Sequence, residues 1–200
     1  MLLLATFREI MAVEVDDGVN FNLKGLRIEA IREEVEYGGS RLRTTATLAG
    51  ARIPITVDIG FGDAVEPGVE DIDLPVLLDM PSPHLRAYPP ETVIAEKFHA
   101  MVVLGRANSR MKDYYDVWML TGAFEIDPER LRRAIGATFA RRRTAMPVEV
   151  PDGLSDGFSA DPGKQRQWDA FARNLSGTTP EFRLVVSGLR QRLVGFLTMK

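Results

Sequence analysis

The chain has 200 residues, of which 45% are hydrophobic, so it is long enough to bury one sizeable core. Its 25 basic and 28 acidic side chains give a net charge of −3, which excludes a global electrostatic field that attracts nucleic acid. It contains no cysteine, so disulfides and thiolate metal sites are excluded. Its two histidines, His84 and His99, have no carboxylate at ligand spacing, so a zinc site is not expected.

Signals for membrane insertion or export are absent from the sequence. No stretch reaches the roughly 20 apolar residues of a membrane span, and Leu2-Leu3-Leu4 is too short for the apolar region of a signal peptide. A cytoplasmic protein with no membrane partner is therefore expected. Residues 2–12 are predicted to form a short helix that no capping residue precedes.

Strand patterns dominate the first part of the chain. Weak alternation predicts a strand through residues 19–23, and residues 28–37 fit either a strand or a short helix. Residues 41–48 alternate cleanly between apolar and polar side chains, and so do residues 53–59 after a compact turn. A β-hairpin with one apolar and one polar face is therefore predicted.

Asp58 lies on the polar face of this hairpin, at the end of its second strand and just before the Gly60-Phe61-Gly62 bend. Two interpretations are open: a carboxylate of a functional site, or a cross-strand partner of Arg41 or Arg43. In contrast, Asp71-Ile72-Asp73 lies in the run EPGVEDIDLP and is predicted to be part of a solvated loop. Asp58 is therefore the stronger site candidate.

A helix is predicted to begin at Pro90, because proline suits a first helical turn and the residue before it is held extended. Its core-facing stripe has spacings of four and three residues: Ile94, Phe98 and Met101. Gly105 ends the helix. Lys97 lies at the edge of the stripe, where its ammonium can point into a cleft. The alternative is a solvated lysine with a buried stem.

A second helix follows, and either Asn108 or Ser109 is predicted to cap it. Its predicted buried stripe is Met111, Tyr115, Trp118 and Met119. Asp113 and Asp116 are three residues apart on neighbouring faces, so the two helices together present one cation and two carboxylates. The alternative for Asp116 is an ordinary surface ion pair with Lys112, four residues before it.

The remainder of the chain is predicted to be helical, with one loop. Asp127 is predicted to cap a helix over residues 128–143 that ends in Arg141-Arg142-Arg143. This basic run serves either the helix dipole and solubility or a contact with RNA or phosphate. Residues 144–162 are rich in Pro, Gly, Ser and Asp and are predicted to form a linker or loop. Two amphipathic helices are predicted over residues 164–174 and 180–197.

The string AEKFHAMVVLGRANSRMKDYYDVWML at residues 95–120 resembles the signature of the AbiEii/AbiGii nucleotidyltransferase toxin family. Members of this family carry an A-E-K helix followed by an N-S-R-x-K-D-x-x-D helix. The similarity continues upstream into DIGFGDAV at 58–65 and downstream through TFARRRT at 138–144. It therefore spans most of the chain.

This resemblance implies an α+β fold, with a partial nucleotidyltransferase-like sheet in residues 1–87 and a helical bundle in residues 88–200. It also implies a toxin that transfers nucleotides from an NTP to an RNA acceptor, often a tRNA. The cofactors implied are Mg2+ and NTP. The partners implied are the nucleotide, the tRNA and a cognate antitoxin.

The resemblance also assigns roles to individual residues. Asp58 would complete the metal site or act as a base, and Lys97 and Arg110 would bind the nucleotide phosphates. Asp113 would be the aspartate of the fourth family motif, with Asp116 as the less favoured choice. We expect Asp58, Lys97 and Asp113 to line one cleft.

The sequence departs from the family pattern in one respect. In the family, a Gly-Ser or Gly-Gly turn followed by Asp-x-Asp precedes the first helix and holds the catalytic magnesium, whereas the only Asp-x-Asp here is at residues 71–73. Two expectations follow: a family enzyme with a truncated start and impaired turnover, or a non-catalytic remnant that binds a nucleotide, RNA or protein partner.

Overall fold

A computed structural model of the chain describes residues 2–31 and 39–194. Helices and small antiparallel sheets occur together in it, which confirms the predicted α+β class. The chain divides into two compact units, residues 1–63 and residues 64–200. The predicted division at residues 87 and 88 stays a prediction.

The first unit consists of one helix and a four-stranded antiparallel sheet. Its elements are α1 (Leu2–Met11), β1 (Val19–Phe21), β2 (Arg27–Ile31), β3 (Gly39–Leu48) and β4 (Ala51–Ile59). Strand β3 is central, because β4 pairs with it over residues 40–48 while β1 and β2 pair with its two ends on the other side. The sheet therefore places residues from the other three strands next to those of β3.

The predicted hairpin is the β3–β4 pair. Its turn consists of Ala49 and Gly50, whose φ values of 47° and 83° are the left-handed conformations that a type I′ hairpin turn requires. The apolar face of β3 is buried at Leu42, Thr44 and Ala46. The strand predicted through residues 19–23 ends at Phe21, since residues 23–25 form a short 3-10 turn. Of residues 28–37, the first four are strand and the rest lie outside the described residues.

The second unit contains one strand pair and six α-helices among its described residues. Its elements are β5 (Glu70–Asp73), β6 (His84–Ala87), α2 (Pro90–Leu104), α3 (Met111–Ala123), α4 (Pro128–Arg141), α5 (Asp156–Ala160), α6 (Pro162–Ala172) and α7 (Phe182–Val194). The predictions of α2, α3, α4, α6 and α7 are confirmed. Asp127 caps α4 as predicted, because its Oδ1 accepts the amides of Glu129 and Arg130.

The prediction of a solvated loop at Asp71-Ile72-Asp73 is wrong. These residues lie in β5, which pairs antiparallel with β6, and Asp73 Oδ1 lies 2.9 Å from His84 Nδ1. The pairing strand follows eleven residues after Asp73, so the local composition of the first segment gives no sign of it. Both side chains of this pair remain well exposed.

The core of the second unit is an aromatic cluster shared by four helices. Tyr114 lies stacked on Phe158 with ring centroids 5.6 Å apart, and Phe182 contacts Tyr114, Phe158 and Trp168 at 5.0–5.8 Å. The prediction of a linker or loop over residues 144–162 is therefore partly wrong: residues 144–151 contain no helix or strand, but Leu154 and Phe158 are buried in this core. The polar residues of the segment act as caps instead: Ser155 Oγ accepts the amide of Phe158.

The predicted buried stripe of α3 is also partly wrong. The residues that the helix buries are Met111, Asp113, Tyr114 and Val117, whereas Met119 is 47% exposed. The buried apolar residues, Met111, Tyr114 and Val117, are three positions apart. The buried face of the helix is therefore rotated by about 100° from the predicted one. As a result Asp113 lies on the buried side of the helix.

His99 on α2 is half-buried. Its Nε2 lies 2.9 Å from Thr144 Oγ1, and its ring meets Phe139 edge-on. Burial, together with the charge of Arg142, holds the pKa of His99 below its ordinary value of 6.5. The folded chain thus binds this proton less readily than the unfolded chain does.

We therefore expect the free energy of unfolding to fall as the pH drops below about 6.5, because protonation favours the unfolded chain. Urea unfolding at a series of pH values between about 5 and 7.5 measures this dependence, and His99→Gln should flatten it. The exposed His84 provides the control, since His84→Gln should leave the pH dependence of the free energy of unfolding unchanged. Equal pH profiles for all three proteins would contradict the prediction.

Candidate functional site

The site is built around Lys97, which bridges both aspartates of α3. Its Nζ lies 2.7 Å from Asp113 Oδ1 and 2.8 Å from Asp116 Oδ2, and its side chain is only 19% exposed. The alternative of a freely solvated lysine is therefore wrong. We call Lys97, Arg110, Lys112, Asp113 and Asp116 the lysine–aspartate cluster.

The turn between α2 and α3 is held by Asn108, which is fully buried. Its Oδ1 accepts the amide of Arg110 at 2.9 Å, and its Nδ2 donates to Tyr114 Oη at 3.3 Å. Tyr114 Oη in turn donates to the carbonyl oxygen of Gly153 at 3.0 Å. Because α3 begins at Met111, Asn108 orders the turn before the helix and is not its N-cap, which corrects the predicted cap.

Position 153 has room only for glycine. A Cβ atom there would lie 2.6 Å from the carbonyl oxygen of Met101 and 3.1 Å from Tyr114 Oη. The segment that follows α4 therefore packs directly against the end of α2. Gly153 is one residue that the sequence analysis missed, because it lies in the segment predicted as a linker.

The two carboxylates of the cluster differ in environment. The Asp113 side chain is 5% exposed, and its Oδ2 lies 2.7 Å from Arg110 Nε, although no N–H points at it in hydrogen-bonding geometry. Asp116 is 20% exposed and also binds Lys112 at 2.6 Å, so the predicted surface ion pair is present as well. Three cations against two carboxylates leave the cluster with a net charge of +1.

Two groups of the cluster, Lys97 and Asp116, have pKa values shifted toward their charged forms. Burial disfavours the ammonium form of Lys97, but the hydrogen bonds to Asp113 and Asp116 outweigh it, so the pKa of Lys97 lies above its ordinary value. Burial likewise opposes the ionised form of Asp116, and the hydrogen bonds from Lys112 and Lys97 hold the pKa of Asp116 below its ordinary value. Lys97 is therefore a fixed cation.

A groove of about 520 Å³ adjoins the start of α3. Its lining consists of Ser109, Arg110, Met111, Lys112, Asp113, Gln167, Ala170 and Phe171. The volume lies within the range of roughly 300–1,000 Å³ that is usual for small-molecule sites. Gln167 and Phe171 belong to α6 and were not predicted as site residues, because they follow Asp113 by more than fifty positions in the sequence.

Asp58 belongs to the first unit, at the end of β4. Both of its oxygens accept from Arg41, at 2.6 and 2.7 Å, so the cross-strand pairing that the sequence left open is present. The hydrogen bonds from Arg41 are the main cause that holds the pKa of Asp58 below its ordinary value. The Asp58 side chain is 50% exposed, so solvent and ligands can still reach it. The expectation that it lines one cleft with Lys97 and Asp113 stays a prediction.

The described carboxylates do not fit a magnesium site by themselves. Within residues 2–31 and 39–194, no three His, Cys, Asp or Glu side chains form a group that could hold a metal ion. Arg41 engages both oxygens of Asp58, and the lysine–aspartate cluster already has an excess of positive charge. A divalent cation at either place would have to displace a bound basic side chain.

In the described part of the chain, no helix combines the length and the apolar character that a membrane crossing requires. The longest of these helices, α2, has 15 residues and carries Glu91, Glu96 and Lys97. This is shorter than the roughly 20 residues that span a bilayer core.

The lysine of α2 and the two aspartates of α3 lie within a region that matches a known family of nucleotidyl transferases. Residues 2–188 match the family model described as "Nucleotidyl transferase AbiEii toxin, Type IV TA system". The chain therefore belongs to the AbiEii family of toxins, which confirms the resemblance seen in its sequence. No curated protein and no solved structure gives a significant match.

Proposed function

We propose that this protein is a nucleotidyltransferase whose reaction moves a nucleotide from an NTP to an RNA acceptor, with tRNA as the expected acceptor, and that the 200-residue chain binds the nucleotide but is impaired in turnover. It acts as the toxin of a cytoplasmic toxin–antitoxin pair, and a cognate antitoxin counteracts it. The observation that carries the proposal is a groove of about 520 Å³ lined by Arg110, Lys112 and Asp113 of the lysine–aspartate cluster, with Lys97 bound to Asp113. Family membership supplies the class of reaction.

The proposed role of Lys97 is to hold the triphosphate. An ammonium group has three hydrogens, and Asp113 and Asp116 accept two of them, which leaves one for a phosphate oxygen. Nucleotidyl transfer depends chiefly on positioning and on positive charge near the reacting phosphate, since the protein itself forms few covalent bonds. A lysine whose position two carboxylates fix meets that requirement.

Arg110 and Lys112 extend the phosphate site into the groove. Their side chains are 59% and 72% exposed, so a ligand in the groove can reach them. Arg110 adds a planar fork that matches phosphate oxygens. Phe171 on the opposite side of the groove offers a ring surface for a base. We propose Asp113 as the catalytic aspartate of this site and Asp58 as the carboxylate that the sheet contributes.

Magnesium and NTP are the cofactors of this chemistry, but magnesium requires ligands in addition to Asp58, Asp113 and Asp116. Nucleotide binding depends on the cations of the cluster and turnover depends on carboxylates, so the two are separable here. The second candidate function, a nucleotide- or RNA-binding protein without turnover, is favoured by one observation: every carboxylate proposed for the site is already paired with a basic side chain.

Nucleotide binding tests the role of the groove directly. We expect the chain to bind at least one of ATP, CTP, GTP and UTP, and Arg110→Gln to weaken that binding by about tenfold, because a charge-assisted hydrogen bond contributes roughly 1.5–3 kcal/mol. Isothermal titration calorimetry measures both affinities. Arg106→Gln is the matched control, since Arg106 is equally exposed and does not line the groove. Equal losses in the two variants, or no binding of any NTP, would contradict the proposal.

A further inference from the structure

The polar face of the sheet in the first unit carries four arginines, and only one of them has a close ion-pair partner. The four are Arg27 on β2, Arg41 and Arg43 on β3, and Arg52 on β4. Arg41 binds Asp58, whereas no described carboxylate lies within ion-pair distance of Arg27, Arg43 or Arg52. Three arginines on this face are therefore available to a ligand.

Arg27 and Arg43 lie directly opposite each other in the β2–β3 register. Residues opposite in an antiparallel pair have Cβ atoms about 4.5–5.5 Å apart on the same face, and like charges at such positions destabilise the sheet. Both side chains are exposed, so packing does not require a cation at either position. A bound anion between the two guanidinium groups removes the repulsion.

The acidic groups of this face offset only part of the positive charge. The hydrogen bond with Asp58 is the main cause that raises the pKa of Arg41. Glu29, which lies opposite Arg41 in the β2–β3 register, raises it further. Arg43 also contributes to the lowered pKa of Asp58. Among the described residues of this face, four arginines against Glu29 and Asp58 give a net charge of +2, in a chain whose net charge is −3.

A depression of about 380 Å³ lies on the same face. It is lined by Asn22, Gly25, Arg27, Glu29, Arg43, Thr44, Thr45 and Arg52. Asn22 Oδ1 accepts the amide of Gly25 at 3.0 Å, so its Nδ2 group remains a donor, and Thr45 adds a hydroxyl. Arginine, asparagine and threonine are the side chains that contact phosphate and sugar in nucleic-acid complexes.

We propose that this arginine face binds the phosphodiester backbone of the acceptor RNA. The inference rests on the proposed function, because that function requires an RNA acceptor, and it assigns the RNA to a particular surface. Asp58 lies on the same face of the same hairpin, within the influence of Arg43. An RNA strand on the arginines therefore runs beside the carboxylate that the sheet contributes.

The lining favours RNA over an acidic protein segment. Protein interfaces depend on aromatic or large aliphatic anchors that fill pockets, and none of the described residues that line the depression is of either kind. Guanidinium groups bind phosphate through two parallel hydrogen bonds, and a repeated anion matches a row of them. The recognition is of the backbone, so we expect little sequence preference.

The test is the salt dependence of binding to fluorescently labelled bulk tRNA, measured by anisotropy from roughly 50 to 300 mM KCl. We expect Arg27→Gln and Arg43→Gln each to lower the affinity by about tenfold at the lowest salt and to reduce the slope of log affinity against log salt by about 1. Arg8→Gln on α1 removes the same charge from an exposed position outside the depression, and it should change neither quantity. Arg27→Lys and Arg43→Lys should keep the slope.

Thermal unfolding of the same variants separates binding from folding. Because the substitutions relieve a like-charge pair, the melting temperature should stay equal or rise. Equal slopes for Arg27→Gln, Arg43→Gln and Arg8→Gln would overturn the assignment. So would a competition experiment in which polyglutamate displaces the labelled tRNA as effectively as unlabelled RNA does. Loss of RNA binding with unchanged NTP affinity supports the arginine face. Intact RNA binding without binding of any NTP would instead contradict the proposed function alone.

Discussion

The 200-residue chain is expected to transfer labelled nucleotides to bulk tRNA at a rate near background, even with magnesium present. The reason is a shortage of carboxylates, since Asp58, Asp113 and Asp116 are each paired with basic side chains and no metal-binding group of three occurs among the described residues. Two-metal catalysis of in-line displacement needs carboxylates that clamp both ions. A version that carries a Gly-Ser and Asp-x-Asp segment ahead of residue 2 is expected to be faster by about three orders of magnitude or more.

Lys97→Ala in the extended version shows whether the labelling of tRNA comes from this protein or from a contaminating enzyme. It should return the labelling to background, while Arg106→Gln, which removes an exposed cation that does not line the groove, should retain most of it. The readout is radiolabel in tRNA resolved on a denaturing gel with each of the four NTPs. Strong labelling by the unextended chain that Lys97→Ala leaves unaffected would show that both the carboxylate argument and the role of Lys97 are wrong.

Lys97→Ala is also expected to lower the free energy of unfolding by about 2–3 kcal/mol. The substitution leaves Asp113 and Asp116, which are 5% and 20% exposed, without their shared cation. Removal of one partner from a buried ion pair costs about 3–5 kcal/mol, and the partial exposure of Lys97 places the effect at or below the lower end of that range. Urea unfolding followed by circular dichroism measures the difference.

Two further variants make this second prediction specific. Lys112→Ala removes an exposed cation from the same Asp116 and should cost less than about 1 kcal/mol. Asp113→Asn combined with Lys97→Met removes both charges of the Lys97–Asp113 pair. The double variant should therefore recover part of the stability lost in Lys97→Ala. Equal destabilisation by Lys97→Ala and Lys112→Ala would show that the buried bridge is not what stabilises α2 against α3.

Local patterns were sufficient to predict most helices of the second unit. Pro90 and Gly105 mark the ends of α2, and Asp127 marks the start of α4, because the physics of helix ends acts on neighbouring residues. The β3–β4 hairpin was predictable for the same reason: its alternation and its two-residue turn are both local. The family signature at residues 95–120 added the candidate site.

The features that the sequence did not predict depend on distant residues. Asp113 is buried because α3 packs with its 111–114–117 spacing inward, and several apolar spacings were compatible with that helix. Strand β5 forms its hydrogen bonds with β6, which follows later in the chain. Phe158 is buried against the rings of Tyr114 and Phe182, which belong to other helices. For Asp58 the sequence left two interpretations nearly equal, and the structure shows the pairing with Arg41 without excluding a site role.

The aromatic cluster has a consequence for how the protein is made. Tyr114 on α3 meets Phe182 on α7 with ring centroids 5.4 Å apart, although the two residues are 68 positions apart, from 114 to 182. At a synthesis rate of about 5–20 residues per second, α7 is added about 3–14 s after α3. During that interval the apolar side of α3 has no ring from α7 to cover it. The second unit therefore completes its folding only after α7 has been synthesised, and the nascent chain is open to proteases and chaperones until then.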